Sequence, residues 1–363
     1  FDSAWPSLRQ FYLRRIFRIV PAYYVALFLI VLLFNRQYFQ VSHWHDLWLF
    51  LTFRQDFPAT YQTISGPFWT LAVEFQFYLL LPLIAWIIRF IVQRGKVNWR
   101  LARLAFCLFI MIAWGLFSLY WGGYFWRKGI TLVPFIPNSI LNTVMLYIYG
   151  GSGKSLEVFA VGMLLCTLYV FLQNTPEAKP WNERLHASSV LFFLIGMAIL
   201  GFMTLWHFYT WYYNYALHFL DPYRNLLVNS WNEWQGIFYA IGFGFCILAL
   251  LKGPAWLKRP FEWMPLRCIG WISFSFYMWH DPLIEFFTTT VLTSLHQSVH
   301  PTSLLIGLLW VWVLIVVIPI SLASYLWIEK PGMRLGEKLQ RKLIKPRQAT
   351  SSASQQGKPL SAL

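Results

Sequence analysis

Runs of about twenty apolar residues, each long enough to cross a bilayer as a helix, recur along this chain. Reading for them gives spans near 17–35, 67–92, 101–121, 155–173, 187–206, 234–251, 268–292 and 302–328. Inside a bilayer every backbone N–H and C=O must be satisfied within the protein. The expected fold is therefore all-α, a polytopic transmembrane helix bundle of about eight spans. Composition agrees: 58% of the 363 residues are hydrophobic and 12% are charged, against about a quarter charged in soluble domains. The stretch 44–53 is too short to cross and is expected at the membrane interface.

Charge orients this map. With the N-terminus cytoplasmic, 23 of the 29 Lys and Arg fall in segments 1–18, 89–103, 174–186, 252–267 and 330–363, and six fall on the other side. That asymmetry follows the positive-inside rule and places both ends of the chain in the cytoplasm. The net charge of +15 then faces anionic lipid. No soluble basic domain exists to hold nucleic acid, so nucleic acid is not an expected partner. Residues 1–330 read as one membrane domain. The tail from Lys345 to Leu363, rich in Ser, Gln, Pro and Lys without aromatics, is expected to be disordered. Four cysteines without CxxC spacing indicate neither a disulfide framework nor a metal site. The chain begins at Phe1 rather than Met, with no signal peptide ahead of its first apolar run.

Ionisable residues inside apolar spans are costly and mark functional sites by default. Glu74 lies in such a span, with Gln76 nearby and Tyr78 one helical turn on, on the same face. It could orient a base, pair with an arginine of another helix or accept from a sugar hydroxyl; a structural interhelical hydrogen bond is the plainer role. Arg15 and Arg18 share a helical face where the chain enters the first span, with Arg14 beside them. Their forks suit phosphate or pyrophosphate, although a positive-inside anchor would look the same. His280 lies near the middle of 268–292 with Trp279, Asp281 and Pro282, while Ser273, Ser275, Tyr277 and Glu285 add polar groups. A neutral imidazole there can act as a general base, or be a histidine satisfied by a neighbouring helix.

Other features take plainer readings. Gly151-Ser-Gly-Lys-Ser155 lacks the glycine a phosphate loop needs, since that position is Ile148. The aromatic run from His207 to Phe219 is expected as an outward loop forming an interfacial belt, with stacking on sugar rings as the alternative. Trp327-Ile-Glu-Lys-Pro331 reads as the end of the last span, with Glu329 at the boundary and Pro331 as the stop.

Four motifs, in order and spacing across nearly the whole chain, resemble the acyltransferase 3 family of polytopic membrane acyltransferases, which includes surface-glycan O-acetylases. They are Phe11-Tyr-Leu-Arg-Arg-Ile-Phe-Arg-Ile-Val-Pro21, Trp69-Thr-Leu-Ala-Val-Glu-Phe-Gln-Phe-Tyr-Leu-Leu-Leu-Pro82, Ile269-Gly-Trp-Ile-Ser-Phe-Ser-Phe-Tyr-Met-Trp-His-Asp-Pro282 and Ser324-Tyr-Leu-Trp-Ile-Glu-Lys-Pro331.

The resemblance implies a bundle of roughly ten helices in a bacterial inner membrane. It takes an acyl group, acetyl by family default, from cytosolic acyl-CoA and passes it to a carbohydrate hydroxyl at the outer face. It also implies no bound metal or redox cofactor. The family's arginine pair falls on Arg15 and Arg18, its Glu and Tyr on Glu74 and Tyr78, and its late Trp-His on Trp279 and His280. The histidine held to be catalytic follows a basic residue by eleven positions on a first span, which would precede Phe1. The expectation is thus an N-terminally truncated chain. Two further departures are Phe75 in place of a second acidic residue, and Ser155, preceded by Lys154, in place of an arginine. The rival class is a transporter or flippase lined by the same buried charges, although no inverted repeat is visible. An inactive fragment is the third reading.

Overall fold

The computed structural model describes residues 7–57, 60, 62–94, 96, 99–128, 137, 140, 153–211, 215–293 and 302–355. Among them the chain is helical throughout: α1 Leu8–Phe34, α2 Trp44–Leu51, α3 Phe68–Gln93, α4 Arg100–Lys128, α5 Leu156–Asn174, α6 Lys179–Ala187, α7 Ser189–Trp211, α8 Arg224–Lys252, α9 Ala255–Glu262, α10 Met264–Phe286, α11 Thr302–Trp312, α12 Ile318–Ser324 and α13 Lys330–Gln355. Wider π turns occupy Phe287–Leu292, Val313–Val317 and Tyr325–Glu329. The last two join α11, α12 and α13.

Seven helices among the described residues are long and apolar enough to span a membrane, so the polytopic bundle stands. The stretch 268–292 is helical as expected, yet it is not one of the seven. Arg267, His280, Asp281 and Glu285 dilute its hydropathy. The last span departs further from expectation. Pro331 does not stop it: the helix runs on from Lys330 to Gln355. The π turn Tyr325–Glu329 opens the ladder just ahead of the proline, which then sits in the first turn of α13 where its missing N–H costs nothing. α13 thus continues into the tail expected to be disordered, whose residues 356–363 lie outside the described ones.

The chain divides into two compact units, Phe1–Pro82 with Arg267–Leu363, and Leu83–Leu266. In the first unit, α1 buries Ile19, Ala22, Tyr23, Ala26, Leu27, Ile30 and Val31, a stripe at three- and four-residue spacing. Its other face leaves Phe28 and Leu33 exposed, as lipid contact requires. The Tyr23 and Tyr24 hydroxyls donate to the carbonyls of Phe50 and Leu51 at 2.9 and 2.6 Å, which holds α2 against α1. Lipid supplies no hydrophobic drive between helices, so close packing at small residues does that work. α13 seats on α1 in this way. A Cβ at Gly336 would lie 2.8 Å from Phe17 Cβ, and one at Gly332 would lie 2.9 Å from the Phe17 carbonyl oxygen.

In the second unit α7 and α8 form an antiparallel pair. A Cβ at Gly196 would stand 2.6 Å from Cys246 Sγ and 2.8 Å from the Gly242 carbonyl oxygen. Met203, Trp206 and Trp231 form a core there, and Trp206 Nε1 donates to the Leu227 carbonyl at 2.8 Å. The aromatic run expected as an outward loop is partly core. His207–Trp211 complete α7, Tyr209 is buried, and its hydroxyl donates to Asp221 Oδ1 at 2.7 Å. Tyr209 follows Trp206 by three residues, which turns it to the same buried side. Positions 212–214 of that run, and Gly151 and Ser152 of the loop-like glycine run, lie outside the described residues.

Candidate functional site

The N-terminal half of α1 carries Arg14, Arg15 and Arg18. With Phe11, Phe17, Met333, Gly336 and Glu337 they line a cavity of about 360 Å³ in the first unit. The cavity wall thus carries three guanidiniums, one carboxylate and two aromatic rings, a net positive charge of the kind that favours anions. The Phe17 seat for Gly332 and Gly336 is what brings α13 in to close the wall.

Arg15 points from this cavity toward α3. Its guanidinium lies 4.5 Å from the centre of the Tyr78 ring and 5.9 Å from that of Phe11. The Tyr78 hydroxyl donates to Glu74 Oε1 at 2.6 Å. The Tyr12 hydroxyl donates to the Leu79 carbonyl at 2.9 Å and pins α1 to α3 at this level. Three residues singled out in the sequence, Arg15, Tyr78 and Glu74, therefore form one chain of contacts. Glu74 and Tyr78 are one turn apart on α3, so the helix alone brings them together. Only the α1–α3 packing adds the arginine.

His280 stands apart from this chain, making no hydrogen bond to Glu74 or Tyr78. Its Nδ1 lies 3.1 Å from the Phe276 carbonyl. A carbonyl only accepts, so Nδ1 carries the proton and Nε2 is the basic nitrogen. The Phe276 ring stacks on the imidazole at 5.6 Å. Its neighbour Asp281 accepts from the Gly66 N–H at 2.7 Å and the Ser65 hydroxyl at 3.4 Å. Tyr277 meets the Thr70 hydroxyl and donates to the Pro67 carbonyl at 3.4 Å. This face of α10 thus clasps the turn that opens α3.

Glu329, which reads from the sequence as a helix end, is a further candidate for the site. It is buried, and Oε2 accepts from the equally buried Ser275 hydroxyl at 2.8 Å. Arg18 lies within electrostatic range of both Glu329 and Tyr78. The usable signal was a carboxylate four residues past Tyr325 in a greasy run, and Pro331 obscured it by suggesting a terminus. Phe75, where the family has a second acid, stacks on Phe53 at 4.1 Å and serves the core. Ser155 holds a left-handed backbone, φ 51° and ψ 29°, just ahead of α5. No group of three or more metal-ligating side chains occurs among the described residues.

The family model described as an acyltransferase domain matches residues 2–328. The chain is 24% identical over 308 residues to the peptidoglycan O-acetyltransferase OatA of Listeria monocytogenes, covering 79% of this chain and 41% of that one. It is 28% identical over 226 residues to the O-acetyltransferase OatA of Staphylococcus aureus, covering 60% and 29%. The chain thus spans less than half the length of these relatives. No solved structure matches it. A match along nearly its whole length places this all-helical chain in the acyltransferase 3 family of membrane acyltransferases.

Proposed function

We propose that this chain is the membrane portion of an O-acyltransferase. It moves an acyl group, acetyl by family default, from cytosolic acyl-CoA to a hydroxyl of a cell-surface polysaccharide. The observation that carries the reading is the contact chain from the arginine-lined cavity through Tyr78 to Glu74. Arg14, Arg15 and Arg18 hold the phosphates of the donor. Tyr78 and Glu74 couple that cavity to the interior of the bundle, where a carboxylate can orient a hydroxyl or a base. In the transfer the thioester C–S bond breaks, a C–O ester bond forms, and the hydroxyl proton goes to a base. His280, with Nε2 as its basic nitrogen, is a proton-shuttling group on the α10 side. The names of the relatives supply the acceptor class, peptidoglycan or a similar wall glycan. The bacterial inner membrane, with both ends of this chain cytoplasmic, is the matching location.

The test is acetyl transfer by the intact gene product in proteoliposomes, using radiolabelled acetyl-CoA and a soluble peptidoglycan fragment. Base-labile label on the glycan, lost in Arg15→Ala and Arg18→Ala proteins that still insert normally, is the expected result. Glycan that crosses the membrane unmodified would replace this reading with a transporter. Wild-type transfer by both variants would remove the arginines from the donor site.

A further inference from the structure

A second cavity, of about 420 Å³, lies within the second unit between α4, α5 and α8. Its wall is almost wholly apolar, drawn from residues such as Leu101, Ala105, Val161, Phe171, Gly244 and Leu248. The hydroxyl of its one polar side chain, Thr167, is returned to the Met163 carbonyl at 2.8 Å. Leu101 begins α4, Phe171 is near the end of α5 and Leu248 is near the end of α8, so one end of the slot lies where all three helices terminate.

Lys252 stands at that end, one turn beyond Leu248 on the same stripe of α8. It is only 9% exposed. Its Nζ lies 5.0 Å from the centre of the Tyr169 ring, and no carboxylate of the described residues pairs with it. The backbone around it is fixed: His186 Nδ1 meets the Lys252 carbonyl at 2.6 Å, and the Gly253 N–H donates to the Ala249 carbonyl at 2.7 Å. A buried ammonium is normally paired, and an aromatic face only partly compensates it. An apolar slot of ligand size that ends in such a cation complements a molecule with a long apolar chain and an anionic head.

We propose that this slot binds one anionic phospholipid, with an acyl chain between α4, α5 and α8 and the lipid phosphate against the Lys252 ammonium. A free phosphate would leave the slot unfilled, and a zwitterionic lipid would bring a second cation to Lys252.

Native mass spectrometry of the delipidated full chain tests this, with dioleoyl phosphatidylglycerol, dioleoyl phosphatidylcholine and inorganic phosphate as probes. Wild type should retain phosphatidylglycerol over phosphatidylcholine by about fivefold. Lys252→Gln should lose that preference and Lys252→Arg should keep it. Gly244→Leu fills the slot, because the nearest neighbour of a Cβ there is Val161 Cγ1 at 4.0 Å, and it should lower retention of both lipids. Equal retention of the two lipids by wild type overturns the proposal, as does unchanged retention in Gly244→Leu. Displacement of the lipid by inorganic phosphate alone would show a soluble-anion site instead. If Lys252→Gln fails to fold, the wild-type lipid comparison and Gly244→Leu still decide.

Discussion

The Arg15 guanidinium lies 4.5 Å from the centre of the Tyr78 ring, and the hydroxyl of that ring donates to Glu74. One side chain thus links the arginine-lined cavity to a carboxylate within the span. The two contacts can be separated. Tyr78→Phe keeps the ring under Arg15 and loses the bond to Glu74. It should lower kcat about ten- to hundredfold with little change in KM for acyl-CoA. Arg15→Lys keeps the charge but loses the planar fork and its stacking, and should act mainly on KM. Steady-state kinetics of both proteins read the split, and identical profiles would count against the two roles.

Ser275 and Glu329 form a buried pair between α10 and the last span. Removing either partner leaves the other unsatisfied, which costs about 1–3 kcal/mol. Ser275→Ala and Glu329→Met should each lower the unfolding midpoint in detergent. The double variant should fall short of the sum by about 1 kcal/mol, and strict additivity would mean that the pair is not coupled.

Gly336 touches Phe17, and both residues line the arginine cavity. A Cβ at Gly336 collides with Phe17 Cβ, so Gly336→Leu must push α13 away from α1, at about 1–3 kcal/mol. The expected outcome is a lower midpoint together with a raised KM for the donor. A lower midpoint with unchanged KM would separate the glycine seat from the cavity.

Glu157 is buried at the start of α5 and wedged between glycines of α4 and α8. A Cβ at Gly115 would lie 2.5 Å from Oε2, and one at Gly236 would lie 3.2 Å from Oε1. Gly115→Ala should therefore destabilise the protein by about 1–3 kcal/mol. Glu157→Ala in the same chain should recover only the part owed to the carboxylate, because the Glu157 backbone N, 2.6 Å from the same Cβ, stays in place; no recovery would mean that the backbone contact sets the whole cost.

Asp281 and His280 are adjacent on α10 but have different work. Asp281→Ala orphans the Gly66 N–H and should cost about 1–3 kcal/mol. His280→Ala gives up one bond to its own helix and should cost less, while reducing transfer. Thermal unfolding compared with activity measures this, and a larger stability loss for His280→Ala would reverse the assignment.

The apolar runs determined that this chain is helical and spans a membrane, because a bilayer admits no other use of twenty greasy residues with unsatisfied backbone. They also determined which polar residues stand out, since a charge in such a run is costly. Glu74 and Tyr78 were legible as a pair because helical periodicity puts them on one face. Tertiary structure alone decided which separate motifs meet. It placed Arg15 over Tyr78, bound Ser275 to Glu329 and set Asp281 against Gly66, because these contacts join residues about 50 to more than 200 positions apart. It also overruled Pro331 as a helix stop, since a π turn just upstream accommodates the ring. The glycines that seat Phe17 and enclose Glu157 were silent in the sequence, because a missing side chain acquires meaning only when another helix fills its place.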